Sequence, residues 1–208
     1  MLKVLNCIAF EHNLVLVALA ALICILACTS SFNLATRASN KTGHARWIWL
    51  ALAAVAAGYG VWATHFVAML AYAIPFAGSY DIPTTIVSAL ISIAANFAGF
   101  WIALHRRSPR WRFAVAGAVA GAGISAMHYA GIWAWHVAAQ REWDAVYVAV
   151  SLLLGTGLGT ASFHIAFSTP GVRSRLLGAG VFIIAIVAMH FTAMSALTLL
   201  PDATGAAG

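Results

Sequence analysis

The sequence predicts an all-α integral membrane protein: six transmembrane helices built as three tandem copies of one helix pair. Three observations carry that prediction. Of the 208 residues, 63% are hydrophobic and 8% charged, against roughly 45–50% and 25% in ordinary soluble domains. The chain falls into uncharged stretches at 13–36, 47–80, 82–104, 113–140, 145–172 and 176–201, each long enough for the roughly 20 apolar residues that carry a helix across a bilayer. A histidine recurs at a near-constant interval, as His65, His128 and His190, spaced 63 and then 62 residues.

The first stretch opens after Glu11 and exits at Arg37. Its position and the run Ile25-Leu26-Ala27-Cys28 loosely fit a lipoprotein signal, but Glu11 beside Lys3 is not the positive start of a secretory leader. Cleavage there would also destroy the repeat. Cys7, Cys24 and Cys28 lie at or inside this span, and an odd count without paired spacing excludes a disulfide framework. They read as small apolar residues.

The even-numbered spans read "WLALAAVAAGYGVWATHFVAMLAYA" (49–73), "AVAGAVAGAGISAMHYAGIWAWHVA" (114–138) and "RLLGAGVFIIAIVAMHFTAMSALTLL" (175–200). Each has small residues early, then His followed by an aromatic. The odd-numbered spans open after Glu11, Asp81 and Asp144; the last two are 63 apart, but the first two are 70 apart, which implies a longer turn or loop in the first unit. The chain is therefore expected to be one membrane domain, 1–208, with repeats at about 10–74, 80–138 and 143–200. One helix pair cannot bury its own polar face, so three must pack together.

Arg37, Lys41 and Arg46 follow span one, Arg106, Arg107, Arg110 and Arg112 follow span three, and Arg173 and Arg175 follow span five; only Lys3 and Arg141 fall on the other side. The positive-inside rule makes those three loops cytoplasmic and both termini external. This topology accounts for the net charge of +6 without a nucleic-acid partner. The three histidines then sit about 15–19 residues beyond the cytoplasmic helix ends, roughly 22–28 Å, in the outer half of the bilayer. Trp62, Trp133, Trp135 and Trp143 are expected in an outer aromatic belt, and Trp47, Trp49, Trp101 and Trp111 in an inner one.

His65 precedes Met69, and His190 precedes Met194, by one helical turn; Ile132 stands where the middle repeat would have Met, and His136 lies two turns beyond His128. Residues at i and i+4 share a helix face. Imidazole with thioether suits copper, particularly Cu(I), and suits Mg²⁺ or Ca²⁺ poorly. A neutral membrane His can simply hydrogen-bond a neighbouring helix, but three at one depth point to a shared polar or metal site of His65, Met69, His128, His190 and Met194.

His12 and His136 read as interfacial residues, His44 and His105 as cytoplasmic loop or helix-end residues, and His164 has no assigned role. Glycines 58, 60, 117, 121, 123, 155, 157 and 159 allow close helix approach, with Gly117 and Gly121 at the spacing of tight membrane packing. No phosphate loop, nucleophile–base pair or carboxylate cluster occurs within the spans, so the chain is not expected to be an enzyme. Two alternatives use the same histidines: a haem-binding redox protein with two of them as axial ligands, and a copper transporter or chaperone. Transport requires a polar path, for which the inner half offers mainly His164.

The motifs "THFVAML", "AMHYAGI" and "AMHFTAM" resemble those of the MHYT family, bacterial membrane sensor domains named for a Met-His-Tyr-Thr motif on alternating helices. The resemblance runs over residues 10–200 and includes the acidic starts and basic loops. It implies copper held near the external face of the bacterial inner membrane by motif Met and His residues, and through it sensing of oxygen, carbon monoxide or nitric oxide. Carried over, it implicates His65, His128 and His190, with Met127 and Met189 as the leading Met and Thr64 in its place in the first copy. The implied partners are the bilayer, a metal ion, a diatomic gas, and a membrane signalling partner or second copy of the chain. Family members often carry a cytoplasmic output domain that makes or degrades cyclic di-GMP, or a histidine kinase. This chain ends soon after span six, with Asp202 expected outside. That leaves two expectations: a stand-alone sensor, or a segment that stops before a seventh span and an effector.

Overall fold

A computed structural model describes residues 2–73, 78–105 and 109–201; Arg106, Arg107 and Asp202 lie outside the described residues. In chain order the elements are α1 (Leu2–Phe10), α2 (Leu14–Ser39), α3 (Gly43–Ala71), β1 (Gly78–Tyr80), α4 (Ile82–Leu104), α5 (Arg112–Ala134), β2 (Trp135–Val137), β3 (Ala139–Trp143), α6 (Ala145–Ser168), α7 (Val172–Ala196) and β4 (Leu197–Pro201). The six helices α2 to α7 are each long and apolar enough to cross a membrane, and the strands form no closed sheet. The chain is a multi-pass helical membrane protein.

Each odd-numbered span begins at an acceptor side chain that answers the free N–H groups of a first helical turn. Asn13 Oδ1 accepts from the N–H of Val15 at 3.0 Å, Asp81 Oδ2 from Thr84 N–H at 2.8 Å, and Asp144 Oδ1 from Val146 N–H at 3.0 Å. The cap of the first unit is therefore Asn13 rather than Glu11, because the position demands an acceptor and not a charge. The extra length of that unit lies in its helices: α2 and α3 have 26 and 29 residues against 23 and 23 for α4 and α5, and only three residues join α2 to α3. This corrects the expected longer loop.

At the histidine end of the bundle, the segment before each odd span pairs antiparallel with the segment after an even span. His12 bridges Tyr72, β1 pairs with β2, and β3 pairs with β4. The backbone N–H of Asn13, Asp81 and Asp144 donates to the carbonyl of Ala71, Ala134 and Ala196 respectively, at 2.8–2.9 Å. Each of those alanines stands six residues beyond a repeat histidine, so this bond fixes the three histidines at one height.

The apolar windows of α3, α5 and α7 are 44%, 56% and 56% buried, against 22%, 33% and 28% for α2, α4 and α6, so the histidine-bearing helices form the inner wall. In the other half, towards the basic loops, Phe32 of α2, Phe100 of α4 and Phe163 of α6 meet with ring centroids 5.3–5.7 Å apart and close the bundle with an aromatic plug. Between α5 and α6 backbone meets backbone: a Cβ on Gly117 or Gly121 would stand 2.2 Å from the carbonyl oxygen of Gly159 or Gly155.

Trp133, Trp143, Trp47, Trp101 and Trp111 are exposed near helix ends. Trp135 is not a belt residue: it is buried, because β2 turns it inward over the bundle mouth. Trp62 is half-buried, and its indole N–H lies 3.2 Å from both Thr85 O and Ser88 Oγ, tying α3 to α4.

Candidate metal centre

Small residues on the inner faces of α3, α5 and α7 let three imidazoles share one level of the bundle. His65, His128 and His190 are all buried, and one ring nitrogen from each lies within 4.8 Å of the others. His128 Nδ1 is 3.1 Å from His65 Nδ1 and 3.3 Å from His190 Nδ1. The rings meet edge to face, with centroids 4.8, 5.0 and 5.5 Å apart.

This array is under-satisfied by its own hydrogen bonds. A neutral imidazole has one N–H and one lone pair, so His128 Nδ1 can form only one good bond although two nitrogens lie within reach. Nε2 of all three histidines is buried without a hydrogen-bond partner among the described residues. Each such orphan costs about 1–3 kcal/mol. A metal ion held by the three Nδ1 atoms would relieve the competition at His128 Nδ1, though not the Nε2 atoms: nitrogen–metal bonds of about 2.0–2.1 Å in tetrahedral array put donor atoms about 3.3 Å apart. Two spacings, 3.1 and 3.3 Å, match and the ligand atoms all lie within 4.8 Å, so the three residues could hold a metal.

Gly131, three residues beyond His128, makes room for this. A Cβ there would stand 2.3 Å from His65 Nε2 and 2.8 Å from Cδ2, so only glycine lets the His65 ring rest against α5. Nothing in one helix's periodicity reveals a ring from another, so the need for glycine here shows only in the fold.

Beside the triad lies a cavity of about 80 Å³ between α2, α3, α5 and α7, lined among others by Ala20, Val61, Ile124, Met127, Ile186 and Met189. Met127 and Met189, which precede His128 and His190, thus border the same space as the rings. Thr64 lines it too, its hydroxyl donating to Gly60 O at 2.8 Å.

Met69 and Met194 occupy the next layer towards the bundle mouth. There they join Ile132, Cys7, Trp135 and Leu197 in one buried cluster, so the i+4 positions of all three repeats converge. Cys7 belongs to α1 and not to the first span, and burial, then Glu11 nearby, pushes its thiol up to about 12.

His12 is buried rather than interfacial, its Nδ1–H donating to Cys7 O at 2.8 Å while its ring packs on Tyr72 and Phe191. Its Nε2 has no partner among the described residues. His136, His44, His105 and His164 are exposed and stand apart from the triad. Among the described residues, no other group of three His, Cys, Asp or Glu side chains is placed to hold a metal.

Comparison with known proteins agrees with this architecture. The MHYT profile, described as a bacterial signalling protein N-terminal repeat, matches residues 58–116 and 121–179, two segments that begin 63 residues apart like His65 and His128. An uncharacterized signaling protein of Caulobacter vibrioides is 37% identical over 97% of this chain and 25% of its own length. The bifunctional diguanylate cyclase/cyclic di-GMP phosphodiesterase MucR of Pseudomonas aeruginosa is 33% identical over 95% of this chain and 30% of its own, and the cyclic di-GMP phosphodiesterase NbdA of the same organism 36% over 88% and 24%. The chain thus spans less than a third of these relatives. No solved structure matches it. With two repeats matched over more than half its length and three intramembrane histidines gathered at one point, the chain belongs to the MHYT family of bacterial signalling-protein N-terminal repeats.

Proposed function

We propose that this chain is a membrane sensor domain in which His65, His128 and His190 hold copper and a diatomic gas is received in the adjoining cavity. The observation that carries the reading is the triad itself, three buried imidazoles whose Nδ1 atoms crowd within 3.1 and 3.3 Å. Copper, when bound, would supply a soft Lewis-acid site for oxygen, carbon monoxide or nitric oxide. Met69 and Met194 pack one layer outward, so in this reading their thioethers lie above the histidine set rather than in it. The cavity supports the gas: apart from Thr64 and the three histidines it is lined by apolar side chains, and about 80 Å³ accommodates a molecule of two heavy atoms, given the roughly 30 Å³ that one water occupies in the liquid.

The same dimensions argue against the two alternatives. A porphyrin needs a pocket of several hundred Å³, and the space beside the triad is about 80 Å³. A transport path would have to cross the packed rings of the Phe32–Phe100–Phe163 plug. In the proposed topology the basic loops are cytoplasmic in the bacterial inner membrane, both ends of the described chain are external, and the three repeats act as one domain. Signal output then depends on a partner in the membrane or an effector beyond the segment, and on a ligand that distinguishes two packings of the helices.

The test is the infrared spectrum of carbon monoxide on detergent-purified protein loaded with Cu(I). A single C–O stretching band, lost in His128→Ala while the protein stays folded, is the expected result. Copper retained at wild-type level in His128→Ala, or no copper in well-folded wild type, would overturn the reading.

A further inference from the structure

The opposite, basic end of the bundle holds a second polar feature, independent of the triad. Three arginines open the even spans: Arg46, Arg112 and Arg175. Two are used to end α4, Arg46 donating to Leu104 O at 2.6 Å and Arg112 Nε to Ala103 O at 3.2 Å. Arg175 differs. It is partly buried, and its Nε is shut off from solvent without a hydrogen-bond partner among the described residues.

Arg175 lines a pocket of about 460 Å³ together with Ser39, Asn40, Arg112, Phe167 and Thr169. No acidic residue lines it, so nothing there neutralises the guanidinium. The first turns of α5 and α7 border it; in α5 the N–H groups of Arg112 and Phe113 donate to Pro109 O and Arg110 O, whereas α7 has no side-chain cap and brings its first-turn N–H groups and positive dipole end to the rim. A buried guanidinium N–H without an acceptor is costly, and the planar fork of the group matches phosphate oxygens.

We infer that this pocket binds a phosphate group through Arg175, with Arg112 and the α7 N-terminus in support. Its place at the ends of the spans suits the headgroup of an anionic phospholipid; a soluble phosphate would meet the same donors. The test is native mass spectrometry with thermal unfolding in a maltoside detergent, titrating wild type, Arg175→Gln and Arg46→Gln with phosphatidylglycerol and, separately, with inorganic phosphate. We expect one saturable lipid per chain in wild type and Arg46→Gln, and half-saturation raised about tenfold or more in Arg175→Gln. Stabilisation by inorganic phosphate alone would assign the pocket to a soluble ligand. Saturation unchanged in Arg175→Gln, or no saturable response of wild type to either probe, would overturn the inference. Should Arg175→Gln fail to fold, Arg175→Lys decides instead: the charge without the fork should weaken binding, and unchanged saturation would count against the site.

Discussion

Gly131→Ala is the smallest change that should disable the triad. The added Cβ would stand 2.3 Å from His65 Nε2, where ordinary contact begins at 3.4 Å, so the ring must retreat by about 1 Å. It has little room, since it is wedged against His128, His190 and Phe66 with centroids 4.8, 5.5 and 4.9 Å away. Metal–ligand distances tolerate about 0.2 Å, so a 1 Å shift removes His65 from a shared site. Copper affinity should fall by about 10–100-fold, the range of perturbations that misplace a ligand. Stability should change far less: overpacking costs about 1–3 kcal/mol, partly offset by the preference of a helix for Ala over Gly, about 1 kcal/mol. Gly157→Ala is the control, because a Cβ there meets nothing within 4 Å. Competition titration against a Cu(I) chelator, beside thermal unfolding, reads both quantities. Wild-type copper affinity in Gly131→Ala would refute the packing argument.

Gly121→Ala should be worse for stability than Gly131→Ala, since its Cβ would meet backbone, Gly155 O at 2.2 Å, and α6 must move away; thermal unfolding should show a loss of about 2 kcal/mol or more. Ala20→Leu should fill the cavity beside the triad and slow or abolish carbon monoxide binding while copper content stays at one per chain; loss of copper with the gas would show the cavity and the metal site to be inseparable. Asp81 is held below the usual carboxylate range by the Thr84 hydroxyl and then the Thr84 N–H. A depressed pKa gives stability that is complete above the ordinary carboxylate value and lost as pH falls through the folded value. Melting curves of wild type and Asp81→Asn should therefore keep a constant gap from pH 7 to about pH 5 and converge below about pH 4; a gap that widens on acidification would refute the cap.

The convergence of the histidines was legible because each repeat supplies one, and equal spacing in a threefold bundle brings equal positions to the axis. The six spans were legible for the same reason that they form, since long uncharged runs leave no other place for their apolar surface. The remainder depended on contacts between elements. Helix α1 and the four strands are too short to show a period, and Trp135 and His12 read as interfacial because packing of Trp135 against Met69 and Leu197, and of His12 against α1, is invisible in either segment alone. Glu11 drew attention by its charge, whereas Asn13 makes the cap. Met69 and Met194 share a helix face with their histidines, yet a 5.4 Å turn carries them to the next layer, where they meet Cys7 and Ile132. Arg175 was counted as one of nine basic loop residues, and only its buried Nε singles it out.

The central claim is tested most directly by X-ray absorption at the copper edge on Cu(I)-loaded wild type beside His65→Ala, His128→Ala and His190→Ala, with elemental analysis of each. One copper per chain with histidine nitrogen scattering, lost in each variant while the helical fold persists, is the predicted result. A copper shell of sulfur alone, or copper unchanged when any one histidine is removed, would contradict it.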